Sequence, residues 1–345
     1  MGIATIKDRV AQLATMMVLE PIFEADLNKD QYGFRPDLNA KMAIKEVSKT
    51  IHWDNRTDVI DGDLKDYFNS IPHGLLMKCI VRRVADGKVL SMIKLWLTVP
   101  VVERKGNIQT RTTEAKDANK GIPQGSPLSP LLSNVYFRRF IIAWEKLGFS
   151  KKFKARVINY ADDFVICASP GMGEAALMVT REIMIKLGLV VHEEKTRLVK
   201  ARSESFNFLS YTFGTFYGFA GKKYYWCKPT NKAIKNVKNK IHNEAAHNRT
   251  HYSEQRMVKE LNAIVRGWAN YFNEGSPCKP FQEVQKYLFQ RMVQWLMKKH
   301  KVRGRGSGYK KFSENYLYEQ LGLIRLPLTI KELLNAKAKI IQKKA

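Results

Sequence analysis

The stretch Val157–Ser169, VINYADDFVICAS, places two adjacent aspartates, Asp162 and Asp163, inside an apolar, strand-forming run. A β-branched run, a short tip and a second apolar run read as strand–turn–strand. Asp-Asp at such a tip is ordinary turn chemistry. It is equally the arrangement an enzyme uses to hold hard divalent ions. Its neighbours decide between the two. VIDGDLKDYF sets Asp63 at the end of another short apolar strand, followed at once by a helix start. GIPQGSPLSPLLSNVYF is a Gly/Pro/Ser loop running into an apolar helix, and its glycines at 121 and 125 let backbone approach a ligand closely. A strand-end acid, a glycine-bearing loop and a hairpin acid pair suit the joining of a hydroxyl to an α-phosphate. That chemistry uses two divalent ions roughly 3.5–4 Å apart.

The composition points the same way. The chain has 345 residues, is 45% hydrophobic and carries a net charge of +27. It can bury a sizeable core, in two domains. Such a field attracts polyanions, and with no amphipathic anchor in view nucleic acid outranks lipid. From Lys228 onward 25 Lys and Arg stand against 8 Asp and Glu, so the C-terminal third is the candidate for phosphate-backbone contact. No apolar run approaches the ~20 residues that span a bilayer, and the N-terminus does not read as a signal peptide. A cytoplasmic protein, bacterial or of an organellar matrix, is expected. Cys79, Cys167, Cys227 and Cys278 lie far apart, which suggests isolated thiols rather than disulfides or zinc.

Residues 1–227 mix helix and strand signals without regular βαβ alternation, which predicts an α+β fold. DRVAQLATMMVLEPIFEADL reads as a helix with Val10, Leu13 and Met17 on its apolar side. GEAALMVTREIMIKLG puts Ala176, Val179, Ile183 and Leu187 on one face, stopped by Gly188, and FNFLSYTFG reads as a strand with a slip. Residues 228–345 read as an all-helical basic domain. Its apolar stripes are Ile234, Val237, Ile241, then Met257, Leu261, Ile264, Trp268, then Val284, Leu288, Met292, Trp295. Lys235 and Lys238 fall on the polar sides. KKHKVRGRGSGYKK reads as a loop whose Arg303, Arg305, Lys310 and Lys311 have no core role, leaving phosphate contact as their account. Trp268 reads as core, with Gly267 allowing close helix packing.

These segments resemble reverse transcriptases, and specifically the proteins encoded by group II introns. The resemblance rests on QYGFRP (31–36), DGDLKDYFNSIPH (61–73), GIPQGSPLSPLLSNVYF (121–137), YADD (160–163), HEEKTRL (192–198) and FNFLSYTFG (206–214), in that order, with RGWANYF (266–272) similar to a maturase, or X, domain. It implies a right-hand palm with partial fingers, an antiparallel sheet plus helices, followed by an all-α basic thumb and X domain. Asp63, Asp162 and Asp163 become the catalytic, metal-holding carboxylates for two Mg²⁺ ions, with Leu64 offering its carbonyl. Phe68 packs under the incoming sugar and Gln124 lines the nucleotide pocket. Gly125 borders the template, Lys195 the primer end, and Arg35 the nucleotide in the fingers. The implied partners are group II intron RNA in a ribonucleoprotein, a DNA primer or target, and dNTPs.

The resemblance also carries a departure. GIATI stands where the family has GIPTI after a fingers region, and the chain starts at Met1, so a shortened form without an endonuclease segment is expected. The absent piece would come from a homodimer or a separate fingers-containing fragment, or polymerase activity would be lost. Two readings follow: an RNA-directed DNA polymerase that also assists intron splicing and mobility, or a non-catalytic maturase that only binds the intron.

Overall fold

The computed structural model describes residues 4–105, 108–217, 221, 223–329 and 332, so the Met1–Ile3 start of the GIATI segment lies outside the described residues. Two compact units divide between Leu209 and Ser210. In the first, helices α1 (Ile6–Glu24) and α2 (Ala40–His52) precede strand β1 (Asp58–Asp63). The short α3 (Tyr67–Ser70), α4 (His73–Ile80) and α5 (Gly87–Leu97) lead to a hairpin of β2 (Val101–Lys105) and β3 (Ile108–Thr112). After α6 (Glu114–Asp117) come α7 (Ser129–Lys146), α8 (Phe149–Lys152), β4 (Arg156–Tyr160), β5 (Asp163–Ala168), α9 (Gly173–Lys186), β6 (Arg197–Lys200) and β7 (Phe206–Phe208).

The sheet that carries the site runs β4-β5-β1-β6, antiparallel throughout. Its strands are apolar on both faces because helices cover both. Ile60, Phe164 and Ile166 belong to the cluster that contains Phe137, Phe140 and Trp144 of α7 and Ala176, Ile183 and Met184 of α9. Residues alternate across the sheet, so Val59, Val165 and Cys167 point the other way, and α2 packs on β4 and β5 there with Ala43, Ile44 and Val47 fully buried. This is the expected α+β palm. Among the described residues no helix is long and apolar enough to cross a membrane.

Three expectations change. The helix at α1 forms, capped by Thr5, but its buried residues are Gln12, Leu19 and Phe23. Val10, Leu13 and Met17 are exposed: apolar residues lie on two sides of this helix, and periodicity alone selected the wrong one. Second, the fold divides before Lys228. In the second unit β8 (Tyr211–Tyr217) pairs with β9 (Lys223–Pro229), and then come α10 (Asn231–Glu244), α11 (Glu254–Tyr271), α12 (Cys278–Lys299) and α13 (Arg305–Lys311). The Tyr211 hydroxyl donates to the Tyr271 carbonyl at 2.7 Å, and the Ser276 N–H donates to the Cys227 carbonyl at 2.8 Å, which ties the hairpin to the end of α11. The unit is therefore helical with a β-hairpin, not all-helical. Third, the run KKHKVRGRGSGYKK is not all loop: α13 forms within it, where Gly308 lies so close to Met297 that a β-carbon would meet the sulfur at 2.2 Å.

The stripes on α10 and α12 hold, while on α11 Met257 and Leu261 are buried and Ile264 and Trp268 only half-buried. Ile234, Val237 and Ile241 are buried on α10, and Val284, Leu288, Met292 and Trp295 on α12. The slip in FNFLSYTFG is two left-handed residues, Leu209 at φ 49° and Ser210 at φ 65°.

Candidate active site

The carboxylates gather because two strand ends meet. In the β1–β5 ladder Asp63 stands opposite Asp163, and residues opposed in an antiparallel pair put their side chains on the same face. Asp162 occupies the two-residue turn between β4 and β5, after Ala161 in the left-handed region at φ 59°. Asp61, two residues before Asp63, shares that face and pairs with Arg197 at 3.6 Å. Its carboxyl is pushed up to about 6, first by burial, with the Asp63 charge adding to it and Arg197 opposing. Asp163 is also pushed up to about 6, by dehydration and then by the charges of Asp162, Asp63 and Asp61. Asp163 is exposed at the strand end, and water there tempers the effect.

A cluster of like charges crowded in this way invites a cation. Lys195 supplies one: its ammonium lies 2.8 Å from Asp63 Oδ2. The loop that brings it is tied to the end of β1, where the His192 N–H donates to the Asp63 carbonyl at 2.9 Å and the Asp63 N–H donates to the Thr196 hydroxyl at 3.2 Å. Lys195 thus sits on the carboxylates themselves. Among the described residues no three His, Cys, Asp or Glu side chains stand as a ready metal cluster. The donor set nonetheless suits a hard divalent ion, being all oxygen and mutually repelling until a cation enters.

The turn itself is held by the QYGF segment. The Tyr32 N–H donates to the Asn159 carbonyl at 2.8 Å, and the Asn159 N–H donates to the Asp30 carbonyl at 2.9 Å. The Asn159 side-chain amide, fully buried, donates to the carbonyls of Ala161 at 2.8 Å and Asp163 at 3.2 Å. Gly33 lies against the turn so closely that a β-carbon would meet the Ala161 nitrogen at 2.4 Å. Asn134 of α7 closes the arrangement by donating to the Gly33 carbonyl at 2.7 Å.

The glycine-bearing loop joins the helix of the expected sugar gate. The Ile122 N–H donates to the Phe68 carbonyl at 2.7 Å, and the Gly121 N–H to the Ile71 carbonyl at 2.8 Å. Gly121 adopts φ 97° with Asn69 beside it, a conformation that favours glycine. Phe68 is half-buried against the core, edge-on to Tyr67, while Gln124 and Gly125 are exposed at the loop tip. Tyr67, whose hydroxyl donates to the Ser133 carbonyl at 2.7 Å, has its pKa raised by burial and by the charges of Tyr136 and Asp162. Leu64 is buried just beyond β1 and bridges to Val191.

Arg35, expected at the nucleotide, is held by partners within the protein. Its side chain is 8% exposed, and all three guanidinium nitrogens are engaged, with Glu24 at 2.5 Å and the carbonyls of Asn28 at 2.6 Å and Gln31 at 2.8 Å. A planar fork engaged at each nitrogen holds the turn after α1 instead. In the second unit Lys235, Arg303, Lys310 and Lys311 are exposed, whereas Lys238 is paired with Glu283 at 2.5 Å over the Tyr287 ring. The side chain of Arg305 lies outside what the structure describes. Asp61 and Asn159 escaped the sequence reading. Two-residue periodicity from Asp63 was the signal for Asp61, while nothing local marks Asn159.

Residues 1–213 match the reverse transcriptase (RNA-dependent DNA polymerase) family, and residues 234–313 match the group II intron maturase-specific domain. Protein YkfC of Escherichia coli (strain K12) is 38% identical over 143 residues, covering 41% of this chain and 35% of that protein. The COX1/OXI3 intron 1 protein of Saccharomyces cerevisiae is 23% identical over 394 residues, covering 91% of this chain and 46% of that protein. The group II intron-encoded protein LtrA of Lactococcus lactis subsp. cremoris is 29% identical over 163 residues, covering 46% of this chain and 25% of that protein. The chain spans between a quarter and just under half the length of these curated relatives. With a palm sheet that brings Asp63 and Asp163 face to face and a family match over most of its length, the chain belongs to the reverse transcriptase (RNA-dependent DNA polymerase) family, in the form that carries a group II intron maturase-specific domain.

Proposed function

We propose that this chain extends a DNA primer with dNTPs along an RNA template, and that its basic second unit holds group II intron RNA and assists its splicing and mobility. The observation that carries the reading is the register of Asp63 against Asp163 with Asp162 in the adjoining turn. Asp63, Asp162, Asp163 and the Leu64 carbonyl would hold two Mg²⁺ ions, which supply the charge that acidifies the primer hydroxyl and stabilises the leaving oxygens. Lys195, resting on Asp63, fixes that carboxylate's orientation and adds a positive charge beside the primer end. Phe68, anchored through its carbonyl to Ile122, limits the space beneath the incoming sugar. Gln124 and Gly125 border the nucleotide and template at the loop tip. Lys235, Arg303, Arg305, Lys310 and Lys311 contact RNA phosphates.

Primer extension with Mg²⁺ on an RNA template tests this. The parent chain incorporates dNTPs, and Asp162→Ala/Asp163→Ala reduces incorporation at least a thousandfold. A second reading, a maturase without polymerase activity, is favoured by one feature: Arg35 is locked away from any triphosphate. Accelerated intron splicing by a parent chain that incorporates no dNTP would select that reading.

A further inference from the structure

The second unit contains a cleft of about 620 Å³ between α10 and α11 that neither the polymerase chemistry nor the core explains. On the α10 wall Lys232, Asn236 and Lys240 are spaced four residues apart and so form one ridge. On the α11 wall stand Ile264, Gly267 and Trp268. Gly267 lies within the helix, where glycine is unfavourable, yet a β-carbon there would meet nothing within 4 Å. Close helix packing, the role expected for it, is therefore not its role. Its missing side chain keeps the cleft open.

Trp268 packs on Phe272 and Phe281 at centroid distances of 5.3 and 5.5 Å. Its indole N–H is buried and has no hydrogen-bond partner among the described residues. The same holds for the core indoles of Trp144 and Trp295. Lys232 and Lys240 are exposed, and neither has a carboxylate partner among the described residues, in contrast to Lys238 on the neighbouring ridge.

We propose that this cleft takes one unpaired nucleobase of a bound RNA, with flanking phosphates on Lys232 and Lys240. The inference rests on the reading of this unit as RNA-binding and names what it recognises: a bulged or looped-out nucleotide, not a continuous duplex. Two lysines two turns apart, about 12 Å along the axis, suit the phosphates on either side of an extruded residue. The apolar wall at Ile264 and Trp268 accepts a flat ring. Bases inside a duplex are stacked and paired, and cannot enter.

The test uses the full chain and two RNA hairpins of equal length, one fully paired and one with a single bulged 2-aminopurine. The parent binds the bulged hairpin about tenfold more tightly, with quenching of the 2-aminopurine fluorescence on stacking. Gly267→Phe fills the cleft, lowers that ratio to about one and abolishes the quenching, and Gly267→Ala gives a smaller loss. Phenylalanine outranks glycine in a helix, so the melting temperature of Gly267→Phe does not fall. Equal affinity of the parent for both hairpins, or a tenfold preference that survives Gly267→Phe, overturns the cleft while leaving the RNA reading intact. A parent that binds neither hairpin overturns both.

Discussion

Asp163 makes a measurable demand on the fold. Its carboxyl is pushed up to about 6, against an ordinary value near 3.9. The folded chain therefore binds this proton more tightly than the unfolded chain does. Above pH 6 the charge is present in both states, and the folded state bears the full cost of dehydrating it and then of its repulsion by Asp162, Asp63 and Asp61. Between about 6 and 4 the folded state takes up the proton first, so this cost is relieved and stability from this group rises as pH falls. Asp163→Asn removes the penalty at every pH. It should raise metal-free stability at pH 7.5 by about 1 kcal/mol or less, discounted for an exposed side chain. The gain should fade toward pH 4.5. Melting curves of the two proteins at both pH values decide it, and equal stability at pH 7.5 would remove the claim. The pair at Asp162 and Asp163 was legible from sequence because acids inside an apolar run are chemically conspicuous. Arg35 misled because its residue type suits both a phosphate and a buried carboxylate, and only packing chose between Glu24 and a ligand.

At the scale of elements, the β4–β5 hairpin is shaped less by its own turn than by the segment that lies along it. Asn159 carries this, with backbone bonds to Asp30 and Tyr32 and side-chain bonds into the turn. Asn159→Ala deletes the two side-chain bonds and leaves the Ala161 and Asp163 carbonyls to find other partners. The expected cost is about 1–3 kcal/mol of stability. Primer extension should fall by at least tenfold, since Asp162 and Asp163 then lose their fixed position. Denaturant unfolding and single-turnover incorporation measure the two effects. A variant as active as the parent would show that the strap is incidental. None of this was visible in one sequence, because the contact joins residues 30–33 to 159–163 and no local pattern links them. Helices α9, α10 and α12 were legible for the opposite reason: their apolar faces are single and continuous. In α1 apolar residues occur on both sides, and the buried face depends on what packs there.

Across the whole molecule, charge and architecture reinforce one another once the boundary is placed correctly. Composition suggested a division near Lys228, because the lysine-rich helices begin there. The β8–β9 hairpin packs on Tyr271 and Phe272, so the second unit starts at Ser210. That shift adds Lys222 and Lys223 and no acid, giving 27 Lys and Arg against 8 Asp and Glu in residues 210–345. A fragment of residues 210–345 should melt cooperatively, whereas one starting at Lys228 should not, since it lacks Tyr211, Phe213 and Cys227, which are buried in the intact unit. The longer fragment should also retain most of the salt dependence of RNA binding. For single-stranded RNA the logarithmic slope is about −0.7 per phosphate neutralised, and five to eight contacts give a slope of about −4 to −6. The complementary fragment, ending at Leu209, should bind with a slope nearer −1 to −2. Titrations from 50 to 400 mM salt, on the order used for such slopes, compare the two. Equal slopes would mean that the palm, not the maturase-specific unit, makes the phosphate contacts, and the division of labour argued from charge would fail.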